Sequence, residues 1–71
     1  MLMDNTIRVE RAKKRMTQAE LAEKVNVSRQ TIHSIETGKF VPSTVLALKI
    51  AQFFNVKLED IFFLEDEKEE K

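Results

Sequence analysis

The segment from Arg29 to Thr37 groups hydrogen-bonding side chains on one side of a predicted helix. On the helical wheel this side holds Arg29, Gln30, His33, Ser34 and Thr37, with no acidic residue among them. Arginine pairs well with guanine, glutamine with adenine, and hydroxyl groups with several bases. The pattern indicates a surface that reads base edges, although an ordinary solvated helix face is equally polar.

A short helix and a turn precede this face. The run Thr17-Gln-Ala-Glu20 is a capping box and predicts a helix over Gln18–Val25. Asn26 tolerates left-handed backbone geometry and is expected to end that helix. Ser28 then suits the N-cap of a third helix over 29–37. Residues 17–37 therefore predict a helix-turn-helix unit, locked by small and branched residues: Ala22, Val27, Ile32 and Ile35. The inner face of its first helix is expected to contain Ala19, Leu21, Ala22 and Val25.

The other elements follow from apolar spacing and cap residues. We expect a first helix over Asp4–Arg15, a fourth from Ser43 or Thr44 to Phe54, and a fifth over Leu58–Phe62. The fold class is all-α, a compact five-helix domain over residues 1–64, with short β pairing of residues 1–3 and 62–64 as a further option. Residues 65–71 are expected to form a disordered acidic tail.

The composition excludes several functional classes. The chain of 71 residues has no Cys, one Gly and one His, which leaves no disulfide, zinc-thiolate site or glycine-rich phosphate loop. His33 with Glu36 supplies only two metal ligands, too few for a structural zinc site. No serine has a His–acid partner, and no apolar run spans a membrane. We therefore expect no enzyme activity, metal, cofactor or membrane segment.

The net charge of zero hides an uneven distribution. Residues 1–64 carry ten Lys and Arg against seven Asp and Glu, a net of +3, whereas residues 65–71 carry −3. A basic body is compatible with a nucleic-acid partner. The cluster 13–15 is either a phosphate-binding patch or a solvated helix end whose cations complement the helix dipole.

Residues 17–38 closely resemble the lambda-repressor/Cro-like (XRE) helix-turn-helix family. The resemblance continues through Pro42-Ser43, residues 47–51 and residues 58–62, and it covers residues 7 to 63. The chain is most similar to the short, single-domain members of the family. Two departures are Asn26, where the turn usually has Gly, and Glu10, where Leu is common, so that Val9 or Met3 is expected to fill the space.

The resemblance implies roles for individual residues. Arg29, Gln30 and His33 match the base-reading positions of the recognition helix. Arg11 and Glu36 match a charged pair that ties the first helix to the third, and a half-buried carboxylate at position 36 needs such a partner. The expected phosphate contacts are Thr17, Gln18, Ser28, Thr31, Ser34, Thr37 and Lys39.

The C-terminal aromatic residues suggest a second surface. Phe54 and Phe62 are expected to fill the core, which leaves Phe53 and Phe63 exposed unless a looser core absorbs all four. An exposed aromatic patch on a small protein usually marks a partner surface. We therefore predict a homodimer whose interface contains four residues: Phe53, Ile61, Phe63 and Leu64.

The sequence as a whole predicts a regulator that binds double-stranded DNA. The expected form is a repressor that reads a palindromic operator as a homodimer through the major groove. The alternative is an antitoxin or another protein-binding module that grips a partner, such as a toxin, with its aromatic C-terminal surface. We expect a cytoplasmic, nucleoid-associated protein, and the family resemblance implies a prokaryotic or phage setting.

Overall fold

Five helices lie between two short terminal strands in the computed structural model, which describes residues 2–65. The expected all-α, five-helix architecture with a terminal β pairing is confirmed. Residues 66–71, most of the predicted acidic tail, lie outside the described residues, and Glu65 ends a strand. In chain order the elements are β1 (Leu2–Asn5), α1 (Ile7–Lys13), α2 (Gln18–Val25), α3 (Arg29–Glu36), α4 (Thr44–Phe54), α5 (Leu58–Ile61) and β2 (Phe62–Glu65).

Side-chain caps begin the three longer helices. At α2 the capping box is complete: Thr17 Oγ1 accepts from the amide of Glu20, and Glu20 Oε1 accepts from the amide of Thr17. Ser28 Oγ accepts from the amide of Thr31 at 3.1 Å, and Ser43 caps α4 in the same way. These contacts satisfy amides that have no partner within the helix.

Left-handed residues end α2 and α4. Asn26 has φ of 64° and Asn55 has φ of 58°, the conformation in which a helix terminates and in which Asn is better tolerated than most residues. Gly38, with φ of 81°, follows α3, which ends at Glu36, so that Thr37 is its C-cap rather than its last residue. The turn between α2 and α3 is therefore fixed in its direction.

The N-terminal segment differs from the prediction. Asp4 and Asn5 lie in β1, not in the first helix, because β1 pairs antiparallel with β2. Asn5 joins three elements: its Oδ1 accepts from the amide of Ile7 at 3.1 Å, and its Nδ2 donates to the carbonyl of Ile35 at 2.9 Å. The helix ends at Lys13, and Arg15 is left-handed.

The core lies where the five helices meet. Phe54 and Phe62 are buried as predicted, and Phe62 belongs to β2 rather than α5. Phe53 is half-buried and packs edge-to-face on Phe54, with ring centroids 5.1 Å apart. The buried apolar residues are Ile7, Leu21, Ala22, Val25, Ile32, Ile35, Ala47, Ile50, Ala51, Phe54, Ile61 and Phe62.

One smaller prediction about the core was wrong, and one pair of alternatives, Val9 or Met3, is resolved. Ala19 is exposed, because the buried side of α2 runs through Leu21, Ala22 and Val25. Val9 is also exposed on α1, and it is Met3 of β1 that packs against the core.

Candidate nucleic-acid interface

The two sides of α3 differ sharply in character. Ile32 and Ile35 are 0% and 1% exposed and fix the inner side of the helix in the core. Arg29, Gln30 and His33 are exposed on the outer side. Because the inner side is held by the core, these three side chains project from a rigid platform. We call the exposed side chains of Arg29, Gln30 and His33 the reading face.

The start of α2 lies beside the reading face. Arg29 Nη1 donates to Gln18 Oε1 at 3.1 Å, a contact that joins the first residue of α2 to the first residue of α3. Gln18 Nε2 also lies 3.3 Å from His33 Nδ1. Two helix N-termini are therefore held side by side, and the partial positive charge of such termini favours phosphate.

Hydroxyl groups surround the reading face, and most of them already bond to the backbone. Ser28 Oγ caps α3 and lies 2.9 Å from Thr31 Oγ1. Thr37 Oγ1 donates to the carbonyls of His33 and Ser34. Within the Ser28–Thr31 pair only one hydroxyl donates to the other, so one hydroxyl hydrogen remains for an outside acceptor such as a phosphate oxygen. The expected flanking cation, Lys39, is exposed at the other end of α3, where its amide donates to the Ser34 carbonyl at 2.9 Å.

A bidentate ion pair ties α1 to α3. Arg11 Nε lies 2.6 Å from Glu36 Oε2, and Arg11 Nη2 lies 3.0 Å from Glu36 Oε1. Arg11 Nη1 also donates to the carbonyl of Met16 at 2.8 Å, just before α2. The Glu36 side chain is only 2% exposed, so its charge depends on these donors.

The environment of Glu36 lowers the pKa of its carboxyl group below the usual 4.5. Burial alone would raise this pKa, since it disfavours the charged form. The hydrogen bonds from Arg11 and Gln18, together with the charges of Arg11 and Arg8, outweigh the effect of burial. The structure therefore holds Glu36 as a carboxylate.

Gln18 connects this ion pair to the reading face. Its Nε2 donates to Glu36 Oε1 at 3.1 Å, on the opposite side of the amide from the contact with Arg29. No local pattern of residues indicates this bridge, because it depends on how α2 and α3 cross. The family resemblance singled out Gln18 only as a phosphate contact.

The predicted dimer residues divide into buried and exposed ones. Ile61 is 0% exposed, so its assignment to an interface was wrong: the inward side of the short helix α5 places it in the core. Phe53 is half-buried. Phe63 and Leu64 are exposed on β2, at 39% and 59%. They line an apolar cavity of about 350 Å³ together with Met3, Val41, Pro42, Thr44, Ala47, Leu58, Glu59 and Phe62.

Residues 2–65 lack two other kinds of feature. In this part of the chain, no helix is long and apolar enough to cross a membrane. The same residues contain no group of three or more His, Cys, Asp or Glu side chains that is placed to hold a metal ion.

Similarity to known proteins extends over all five helices. A family model described as Helix-turn-helix matches residues 7–61, from the first residue of α1 to the last of α5. An uncharacterized HTH-type transcriptional regulator from Methanocaldococcus jannaschii is 54% identical over 66 residues, which make up 93% of this chain and 100% of that protein.

Solved structures show the same likeness. A candidate DNA-binding protein from Bacteroides fragilis matches with a TM-score of 0.75 at 33% identity, over 86% of this chain and 98% of that one. The restriction-modification controller protein C.AhdI from Aeromonas hydrophila matches with a TM-score of 0.69 at 26% identity, over 76% of this chain and 78% of that one.

The Glu36 carboxylate should make stability depend on pH. Glu36→Gln is expected to lower the free energy of unfolding by about 1–3 kcal/mol at neutral pH, because it removes charge-assisted hydrogen bonds from a buried site. Since the pKa of Glu36 is lower in the folded than in the unfolded chain, this stabilisation is present above the unfolded value and is lost as pH falls through the folded value. The difference between wild type and variant should therefore shrink on acidification.

Urea denaturation at neutral pH and at about pH 3 measures this difference. Glu10→Gln is the matched control, because Glu10 pairs with the largely exposed Lys13 at 3.4 Å and should contribute less than about 1 kcal/mol. A Glu36→Gln effect that is no larger than the Glu10→Gln effect, or that stays constant with pH, would contradict this interpretation.

Proposed function

The chain belongs to the helix-turn-helix family of DNA-binding transcriptional regulators, and we propose that it is a repressor that reads a palindromic operator as a homodimer. In this proposal α3 enters the major groove and its reading face contacts base edges. Occupation of the operator then excludes RNA polymerase.

The observation that carries the proposal is the reading face itself. Arg29, Gln30 and His33 are exposed while Ile32 and Ile35, on the same eight-residue helix, are buried. A guanidinium, an amide and an imidazole on adjacent turns match the donors and acceptors that base pairs present in the major groove. The ordinary solvated-face alternative does not explain why the start of α2 holds Arg29 in place.

Phosphate contacts would come from the rim of the same face. The backbone amides at the start of α2, that of Gln18 among them, and the side chain of Thr17 lie beside the start of α3, and Lys39 lies beyond its C-terminal end. Such contacts fix the orientation of the protein on the duplex without selecting its sequence. The full set proposed here is Thr17, Gln18, Ser28, Thr31, Ser34, Thr37 and Lys39.

The homodimer is supported by the exposed apolar side chains of Phe63 and Leu64. They lie on β2, whose only partner among residues 2–65 is β1, so the other edge of β2 has free backbone groups. In a homodimer, the same edge of a second copy would pair with these backbone groups, and its apolar side chains would cover Phe63 and Leu64. A two-fold dimer would place two copies of α3 about 34 Å apart, one turn of DNA.

The same apolar surface favours one alternative function. The cavity beside Phe63 and Leu64 is lined almost entirely by apolar side chains, which also suits a different protein, as in an antitoxin. The two proposals differ in what the isolated chain does: a homodimeric repressor associates and reads DNA alone, whereas an antitoxin-type module needs its partner.

Arg29 should determine the base preference. Selection of duplexes from a random library is expected to yield a palindromic motif for the wild type. Arg29→Ala should weaken binding to that motif by about 1–3 kcal/mol and relax one base position in each half-site, because a bidentate arginine–guanine contact is lost. Lys49→Ala, which removes an exposed positive charge from α4, is the control and should leave the motif unchanged.

The proposal fails if the wild type enriches no motif. Weak binding that falls steeply with salt and does not depend on sequence would then reflect phosphate attraction alone. A motif that survives Arg29→Ala unchanged would contradict the assignment of the reading face.

Leu64 should control assembly. Leu64→Glu is expected to convert the dimer to a monomer in sedimentation equilibrium and to reduce affinity for the full palindrome far more than affinity for one half-site. A charge at this position has to be buried on association, which is costly. Val9→Glu is the control, because Val9 is similarly exposed at 52% but lies on α1. A wild-type monomer that binds the full palindrome with no cooperation between half-sites would contradict the homodimer.

A further inference from the structure

The side-chain amide of Gln18 contacts three side chains of α3. One can only donate hydrogen bonds, one can only accept them, and the third can do either. Its Oε1 accepts from Arg29 Nη1 at 3.1 Å. Its Nε2 lies 3.1 Å from Glu36 Oε1 and 3.3 Å from His33 Nδ1. No other residue among those described bridges α2 to three side chains of α3.

Two of these partners determine how the amide is oriented. The Glu36 carboxylate can only accept hydrogen bonds, so it must face the amide nitrogen. The Arg29 guanidinium can only donate, so it must face the amide oxygen. The reverse orientation would set a donor against a donor and an acceptor against an acceptor. The Arg11 ion pair holds the Glu36 carboxylate in place and thereby the amide as well.

The orientation of the amide in turn selects the tautomer of His33. Since Gln18 presents N–H groups on this side, His33 Nδ1 has to accept, which places the ring proton on Nε2. A ring with its proton on Nδ1 would set two donors against each other. The reading face then offers an N–H donor from His33 Nε2 and the remaining N–H donors of Arg29.

We propose that Gln18 is a specificity-determining residue that acts through His33, by fixing the imidazole as a donor towards the DNA. The inference rests on the proposed function, because it concerns the same reading face. Arg29 and His33 lie one helical turn apart and both present donors, so the bases beneath them must present acceptors. Guanine, with O6 and N7 in the major groove, satisfies this best, and the N4 amino group of cytosine is rejected.

Gln18→Glu should invert the preference at the His33 position. A carboxylate at position 18 can only accept, so in the neutral ring the proton moves to His33 Nδ1 and Nε2 becomes an acceptor. The selection is therefore carried out at a pH where the ring is neutral in both proteins, because in the imidazolium both nitrogens donate. Selection from the random library should then replace an acceptor base such as guanine with cytosine or adenine, which offer an amino group. The expected change in preference is about fivefold, the effect of one hydrogen bond.

The control for the added charge is Ala19→Glu. Ala19 is the exposed neighbour of Gln18 on α2, so this variant puts the same negative charge near the DNA without facing His33. It should lower affinity for all sequences and leave the base preference unchanged. A second variant tests the ring nitrogen itself: His33→Asn, whose shorter side chain places no donor near the Nε2 position, should lose the preference.

The tautomer of His33 can also be measured in the absence of DNA, independently of any effect on binding. The chain has one His, so a long-range nitrogen-15 spectrum, recorded at a pH where the ring is neutral, reports His33 alone. We expect an unprotonated Nδ1 in the wild type and a protonated Nδ1 in Gln18→Glu, with circular dichroism showing that both are folded.

The possible outcomes separate a failure of the proposed function from a failure of the proposed role of Gln18. A wild type that selects no motif overturns the proposed function. If the wild type selects a motif and Gln18→Glu leaves the base preference at the His33 position unchanged, the role of Gln18 is overturned while DNA reading stands. If the same ring nitrogen of His33 is protonated in the wild type and in Gln18→Glu, the tautomer assignment is overturned directly.

Discussion

A carboxylate buried between three helices has to find hydrogen-bond donors, and Glu36 of α3 finds them on α1 and α2. Arg11 grips both of its oxygens, at 2.6 and 3.0 Å, and Gln18 donates to one of them at 3.1 Å. Because the side chain is almost completely buried, the loss of Arg11 would leave its charge without an opposite charge. This requirement ties α3 to the two preceding helices.

The same contacts prepare the surface that we propose reads DNA. Gln18 extends the ion pair to Arg29 and His33, so two exposed side chains are held by a group whose own orientation is set from the core side. Side chains ordered in advance lose less conformational entropy on binding. The helix ends contribute in the same direction, since Thr17 and Ser28 cap α2 and α3 and fix their N-termini side by side.

The helices whose ends are set by local signals could be predicted from the sequence. Caps at Thr17, Ser28 and Ser43 and left-handed stops at Asn26 and Asn55 define α2, α3 and α4 almost to the residue. Contacts between distant residues were harder. Asn5 was expected in the first helix because its strand partner, Phe62, lies at the other end of the chain. The inward side of α5, with four residues, is too short for periodicity to reveal. The bridge made by Gln18 depends on the crossing of two helices and leaves no pattern in the spacing.

The claim that the ion pair and the reading face form one coupled unit is tested most directly by a double-mutant cycle. Affinity for the selected operator would be measured for the wild type, Glu36→Gln, Arg29→Ala and the double variant, with concentrations corrected for the folded fraction. If Glu36 acts on the reading face through Gln18, the double variant should lose less affinity than the two single losses added together, by at least about 0.5 kcal/mol. Losses that add to within about 0.3 kcal/mol would show that Glu36 serves the fold alone and would contradict the account.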